Sequence, residues 1–255
     1  MGVLAVFKKE IRSYFFSPVA YAIWTVFLLI LGYFFYSIVW YFSLVSLQAS
    51  ANPALAQGLN VTDGILRPLF GNVSVVMLFL VPLFTMRLFA EERKQGSLEL
   101  LMTYPVRDGE ILLGKFFAAV ALVAVLLSPT LIYVGLLAAY TRPEFGPTVT
   151  AYLGVILLAT AFIAVGLLIS SLTENQIVAA VWTFGILLLL WVLNWIGTLG
   201  EGAGARMLQH LSLLNHLDSF NRGILDSRDL VFYLNFTLVF LFLTLKSLEI
   251  RRWKG

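Results

Sequence analysis

Residues 86–115 read MRLFAEERKQGSLELLMTYPVRDGEILLGK. From Arg87 to Lys115 the stretch carries five basic and five acidic side chains, in a 255-residue chain that is 60% hydrophobic and only 12% charged. A soluble domain carries about 25% charged residues, so the surplus apolar surface calls for lipid rather than a larger core. Working outward from this island, apolar runs flank it on both sides. Run 69–89 precedes it, with Pro82 near its middle and Arg87 at its end. Run 111–140 follows, with Lys115 near its start and Ser128-Pro129 at its centre.

A helix crossing the roughly 30 Å hydrocarbon layer needs about 20 apolar residues at about 1.5 Å each. Runs 19–42, 149–172 and 177–199 also qualify and hold no charge, and the shorter 230–245 completes a set of six. The expected fold is an all-α polytopic membrane protein with six transmembrane helices. The uncharged run 19–42 is too long for a signal-peptide core of about 7–15 residues, and Val6 breaks the myristoylation pattern of the opening Met-Gly.

Lys and Arg sort into alternate loops. Lys8, Lys9 and Arg12, then Arg87, Arg93, Lys94, Arg107 and Lys115, then Lys246, Arg251, Arg252 and Lys254 form the richer set. Arg67, Arg142, Arg206, Arg222 and Arg228 form the poorer one. Because cytoplasmic loops are enriched in Lys and Arg, both termini and the island are expected in the cytoplasm. Ahead of the first span, Val3, Leu4, Phe7, Ile11, Tyr14 and Phe15 recur every three or four residues, between Lys8, Lys9 and Arg12. That pattern fits an amphipathic helix over 1–18, anchored in the headgroup layer by Phe7, Lys8, Lys9, Ile11 and Arg12. Ser17-Pro18 then turns the chain into the membrane. The aromatic residues of 33–42 fit an interfacial belt.

Catalytic signatures are missing. The sequence has no Cys, no G-x-x-x-x-G-K-[ST] phosphate loop, no G-x-S-x-G and no H-E-x-x-H. His210 and His216 are six residues apart, a poor spacing for one helix face, and read as solvated interfacial histidines rather than metal ligands. No enzymatic activity, metal or cofactor is expected in this chain, and the thin spread of charge argues against nucleic acid. Arg87, Lys115, Glu174 and Lys246 fall at the cytoplasmic ends of spans, within snorkelling reach of water. Deeper polarity is limited to groups such as Asn72, Ser74, Thr85, Ser128, Thr160, Thr183 and Asn194, which commonly bond their own backbone or a neighbouring helix. An ion-coupled carrier is therefore disfavoured.

Within the island, Gly96-Ser97 marks a break and a helix N-cap, and Pro105 a stop. Between them about two turns of helix place Leu98, Leu101 and Met102 on one face. Two readings stay open: a helix resting on the inner ends of other spans, or a peg whose apolar face enters a partner's groove. Asp108 would cap the next span, with Glu110 favourable to its dipole.

Residues 86–115 closely resemble the cytoplasmic loop of ABC-2-type permeases, a run of E-E/K-R/K-x-x-G-[ST]-x-E-x-L-x-x-x-P followed by G-K. Glu91, Glu92, Gly96, Ser97, Glu99, Leu100, Leu101, Pro105, Gly114 and Lys115 match it. FKKEIRSYFFSP (7–18) is similar to the family's opening elbow, SSLTENQIVAA (170–180) to its second cytoplasmic turn, and HLDSFNRGILDSRDLVFY (216–233) to the segment before its last span. The likeness covers the whole chain and is greatest to the gliding-motility-type branch. It implies one domain over 1–255, with a coupling loop at 90–110 and an external re-entrant connector at 200–229. It further implies two copies of a cytoplasmic ABC ATPase holding ATP and Mg, and a second permease chain as homo- or heterodimer. An external or periplasmic accessory protein is left as an optional partner beside the lipid bilayer. Glu91, Glu92, Gly96, Ser97, Leu98, Glu99, Leu100, Leu101, Pro105 and Glu174 would contact the ATPase. Met207, Leu208, Leu211, Leu214 and Asp218 would form an external gate, or else an ordinary loop with a partly buried helix. The leading function is export; the alternative is a non-transporting anchor that couples an ATPase to an external or periplasmic assembly.

Overall fold

The computed structural model describes residues 2–51, 60–96, 107–141, 143–199, 210 and 212–252. Ten α-helices run through them: α1 (Gly2–Phe16), α2 (Pro18–Ala51), α3 (Arg67–Thr85), α4 (Arg87–Lys94), α5 (Asp108–Leu127), α6 (Leu131–Tyr140), α7 (Phe145–Leu172), α8 (Gln176–Leu199), α9 (Leu213–Asn221) and α10 (Ser227–Arg252). Among the described residues there is no strand. Six helical stretches are long and apolar enough to cross a membrane: Ala20–Ala49, Thr62–Lys94, Asp108–Tyr140, Phe145–Leu172, Gln176–Leu193 and Ser227–Ile250. The protein is an all-α polytopic membrane protein.

The crossings divide into two groups. The stretches built on α3, α5 and α7 are mostly buried within the bundle, whereas α2, α8 and α10 present most of their surface outward. α7 is the central post, packed against α3, α5, α8, α9 and α10. Its core face is lined by small residues, with Ala159, Ala161 and Ala164 almost fully buried. Lipid gives helices little hydrophobic reason to associate, so close approach of small residues supplies the packing. Gly154 abuts Phe220 of α9, and a Cβ there would lie 2.6 Å from the Phe220 Cβ. Gly166 is pressed against the Thr85 side chain of α3 in the same way.

Two prolines stand inside the long crossings, near their interruptions. Pro82 has no N–H to donate to the preceding turn, and α3 yields at Met86 before α4 begins. Ser128–Thr130 form a tighter turn between α5 and α6, with Pro129 at its centre. Several polar groups within the spans bond their own backbone, one of the two fates expected for them: Ser74 donates to Gly71, Thr85 to Val81, Ser128 to Val125 and Thr160 to Leu157. At the start of α5 the expected cap is corrected. Asp108 is itself the first helical residue, and Glu110 Oε2 accepts the Arg107 N–H at 3.1 Å.

α1 and the end of α10 lie at one end of the bundle, which also carries α4, the start of α5 and the turn at Thr173–Asn175. We term it the charged end. Ser247 near the close of α10 bonds Ser171 at 3.2 Å there. The opposite end carries α9, the starts of α3, α7 and α10, and the end of α6.

Candidate functional site

At the charged end, Glu10, Lys115, Glu92 and Lys9 form a chain of alternating charge. Lys115 Nζ donates to Glu10 Oε1 at 2.7 Å and lies 2.9 Å from Glu92 Oε2; Lys9 Nζ donates to Glu92 Oε1 at 2.7 Å. Lys115 is 1% exposed and also faces the Phe89 ring at 5.2 Å. This overturns the expectation that Lys115 snorkels to water: two carboxylates supply what water would have supplied. Stripping charges of their hydration costs several kcal/mol per ion and is offset only by close, well-bonded partners, which these distances provide. Burial alone would lower the Lys9 pKa, but the hydrogen bond to Glu92 and the charges of Glu92 and Glu10 outweigh it and hold Lys9 above its usual 10.5.

Gly114 makes the cluster possible. A Cβ at that position would stand 2.7 Å from the Val6 Cβ and 2.9 Å from the Val3 carbonyl, so only glycine lets α1 lie flat on α5. Val6 and Glu10 then share a buried ridge of α1 that faces the protein. Of the residues assigned to a surface anchor, Lys8, Lys9 and Arg12 are exposed, while Phe7 and Ile11 are half-buried. Arg12 stacks over Phe16 at 5.8 Å. Tyr14 ties the end of α1 to α3 by donating to the Phe84 carbonyl at 3.3 Å.

A second set of bonds braces α4 against α7. The break at Met86 strands the first N–H groups of α4, which helix starts leave without intrahelical acceptors. Ser170 Oγ accepts two of them, from Phe89 at 3.0 Å and Ala90 at 3.1 Å, and donates to the Met86 carbonyl at 3.1 Å. Arg93 continues the brace, reaching the Ser171 carbonyl at 3.1 Å and Glu174 at 2.7 Å. α4 ends where Gly96 takes a positive φ of 67°, a conformation that costs glycine nothing.

The structure therefore brings Glu92 and Lys115, on either side of the island's loop, into direct contact, and fixes Glu174 to the same frame through Arg93. Glu91 lies on α4 and contacts Gln95 at 3.4 Å. Ser97, Leu98, Glu99, Leu100, Leu101 and Pro105 lie outside the described residues, as do Met207, Leu208 and Leu211. The family model for ABC-2 family transporter proteins matches residues 4–252. The chain belongs to the ABC-2 transporter family. A comparison with curated proteins finds no match. In this ABC-2 protein the Gly114-Lys115 pair thus has a physical role: the glycine admits α1 and the lysine binds it.

The opposite end holds the remaining predicted site residues. Leu214 is half-buried on α9. Asp218 accepts from Arg67 Nε at 3.0 Å and Nη2 at 2.7 Å, and from Arg222 Nε at 2.9 Å. His216 is corrected from a solvated group: its side chain is 13% exposed, with Nδ1 2.6 Å from Asp229 and the ring stacked on Phe232 at 3.9 Å. α9 is locked further by Tyr233 donating to the Leu213 carbonyl at 2.6 Å and Thr150 to the Phe220 carbonyl at 2.8 Å. Among the described residues no group of three or more His, Cys, Asp or Glu could hold a metal.

Sequence reasoning missed Glu10, Ser170 and Asp229. Glu10 had a signal, since a lone acid stands one turn beyond Val6 on the ridge of α1. Ser170 and Asp229 had none, because their partners are about 80 and 13 residues away in sequence.

Proposed function

We propose that this chain is the non-catalytic membrane subunit of an ATP-driven exporter and that its charged end is the cytoplasmic face. The ATP and Mg reside in two copies of a cytoplasmic ABC ATPase, and a second permease chain completes the assembly. The observation that carries this reading is the ion-paired frame around 95–107. The two stems of that loop are joined through Glu92 and Lys115, and both are fastened to α1, while Ser170 and Arg93 fasten α4 to α7 and its following turn. A load applied to the loop is passed to four helices at once rather than absorbed by a floppy connection. In this reading Glu91, Glu92, Gly96, Ser97, Leu98, Glu99, Leu100, Leu101 and Pro105 meet the ATPase, with Glu174 as a flanking contact. The apolar face of 98–102 supplies affinity and the charged rim orientation. At the far end, Leu214 and Asp218 on α9, together with Met207, Leu208 and Leu211, close the external side of the pathway.

The test is affinity purification of the tagged chain in mild detergent with mass spectrometry of what accompanies it. A soluble protein with a Walker-type phosphate loop should be recovered, and should be lost on Leu98→Asp while membrane insertion persists. Full co-purification and activity with Leu98→Asp would remove the loop from the ATPase contact.

A second reading, an anchor that transmits ATPase motion to an external or periplasmic assembly, is favoured by one observation. Ser74, Thr85, Ser128 and Thr160 spend their hydroxyls on their own helices, which leaves little polarity to guide a solute. The gliding-motility likeness points the same way. Cysteine labelling along α2 and α8 by a water-soluble thiol reagent separates the two. Labelling deep in the membrane supports a wet transport pathway, and its absence supports the anchor.

A further inference from the structure

A groove of about 580 Å³ opens at the charged end between α1, the start of α2, the end of α3 and α4. Its inner wall is apolar, formed by Tyr14, Ala20, Ile23, Leu83 and Phe84. Its mouth is charged, with Arg87 and Glu91 one helical turn apart on α4. Side chains four apart on a helix are neighbours, yet these two form no ion pair with each other. Among the described residues the Arg87 side chain makes no hydrogen bond or ion pair. Among the described residues the Glu91 side chain has only the long contact to Gln95. The neighbouring Glu10, Lys115, Glu92 and Lys9 are already engaged with one another.

We propose that this groove binds a glycerophospholipid with a primary-ammonium headgroup, its phosphate on Arg87, its ammonium on Glu91 and one acyl chain along Leu83 and Phe84. Three observations select that ligand. The groove lies where the spans give way to charged residues, the level a headgroup occupies. Leu83 on its wall is 39% exposed, so the apolar part is open sideways to the bilayer. The two unpaired charges have opposite sign and sit side by side, which matches a zwitterion rather than an anion or a neutral lipid. The volume is within the roughly 300–1,000 Å³ of small-molecule sites, enough for a headgroup and part of one chain. A guanidinium fork binds phosphate through paired, charge-assisted hydrogen bonds, and the carboxylate supplies the discrimination. In this inference Glu91 serves the lipid instead of the ATPase, and the site stands whether or not the rest of the island is an ATPase contact.

The test is native mass spectrometry of the full-length protein, delipidated in detergent and then offered phosphatidylethanolamine, phosphatidylglycerol or phosphatidylcholine at equal concentration. The wild type should retain phosphatidylethanolamine in preference to the other two, with inorganic phosphate failing to compete. Arg87→Gln should weaken retention about tenfold, the equivalent of about 1.4 kcal/mol. Glu91→Gln should keep lipid binding but erase the preference for the primary ammonium. Leu83→Trp, which fills the wall and leaves both charges in place, should also reduce retention, and its size-exclusion profile checks that the fold is intact. Equal retention of all three lipids by the wild type would overturn the proposal, as would unchanged phosphatidylethanolamine binding in Arg87→Gln. Competition by inorganic phosphate would reassign the mouth as a simple anion site.

Discussion

The two ends of the bundle both use ion pairs to join distant parts of the chain, but they use them in different surroundings. At the charged end Lys115, Glu10 and Glu92 are 1%, 12% and 11% exposed. At the opposite end Arg67, Asp218 and Arg222 are 36%, 38% and 52% exposed. Exposed pairs contribute about 0–1 kcal/mol, because water competes for both partners. Buried pairs are a different case: their net worth is small, but removing one member leaves a stranded charge at a cost of about 3–5 kcal/mol. The charged end is thus committed to one arrangement. At the opposite end the holding is done by Tyr233 to Leu213, Thr150 to Phe220 and the buried contact of His216 with Asp229, while the Arg67, Asp218 and Arg222 charges decorate it.

That contrast can be broken experimentally. Lys115→Met should have the largest effect, a loss of about 3–5 kcal/mol, read as a fall in thermal midpoint of the detergent-solubilised protein. Adding Glu10→Gln to it should restore part of the loss. If Lys115→Met were no worse than Arg222→Gln, the two ends would be equivalent and the comparison would fail. Ser170→Ala comes next, at about 1–3 kcal/mol for buried donors left without an acceptor. Its signature is local, with faster hydrogen exchange at the Phe89 and Ala90 amides and little change in α9. Arg222→Gln should cost least, about 1 kcal/mol or below, and that small effect should fade with added salt. A large, salt-independent loss there would show that the exposed pairs hold more than their surroundings suggest.

The six crossings could be read from the sequence because lipid imposes a simple rule, about 20 apolar residues per span. Pro82 and Ser128-Pro129 could be seen inside their runs, and the second marks the tighter turn at Ser128–Thr130, since proline acts on its own turn. The ionic frame was only half visible. Glu92, Gly114 and Lys115 stood out by their likeness to a known loop, but nothing local says that Lys115 turns inward. That depends on Glu10, 105 residues away, and on the space that Gly114 leaves for α1. His216 failed for the same reason: its environment is made by Asp229 and Phe232 of another helix. Pairings set by tertiary contact leave no trace in periodicity.

The tight crossing of Gly166 over Thr85 has a mechanical consequence. The Thr85 side chain seated on Gly166 keeps α3 from sliding along α7, and Ser170, one turn further along α7, clamps the start of α4 to the same helix. With two fastenings so close together, a push at the Glu92 end cannot be taken up by a hinge at Met86 and must move α3, α4 and α7 as one piece.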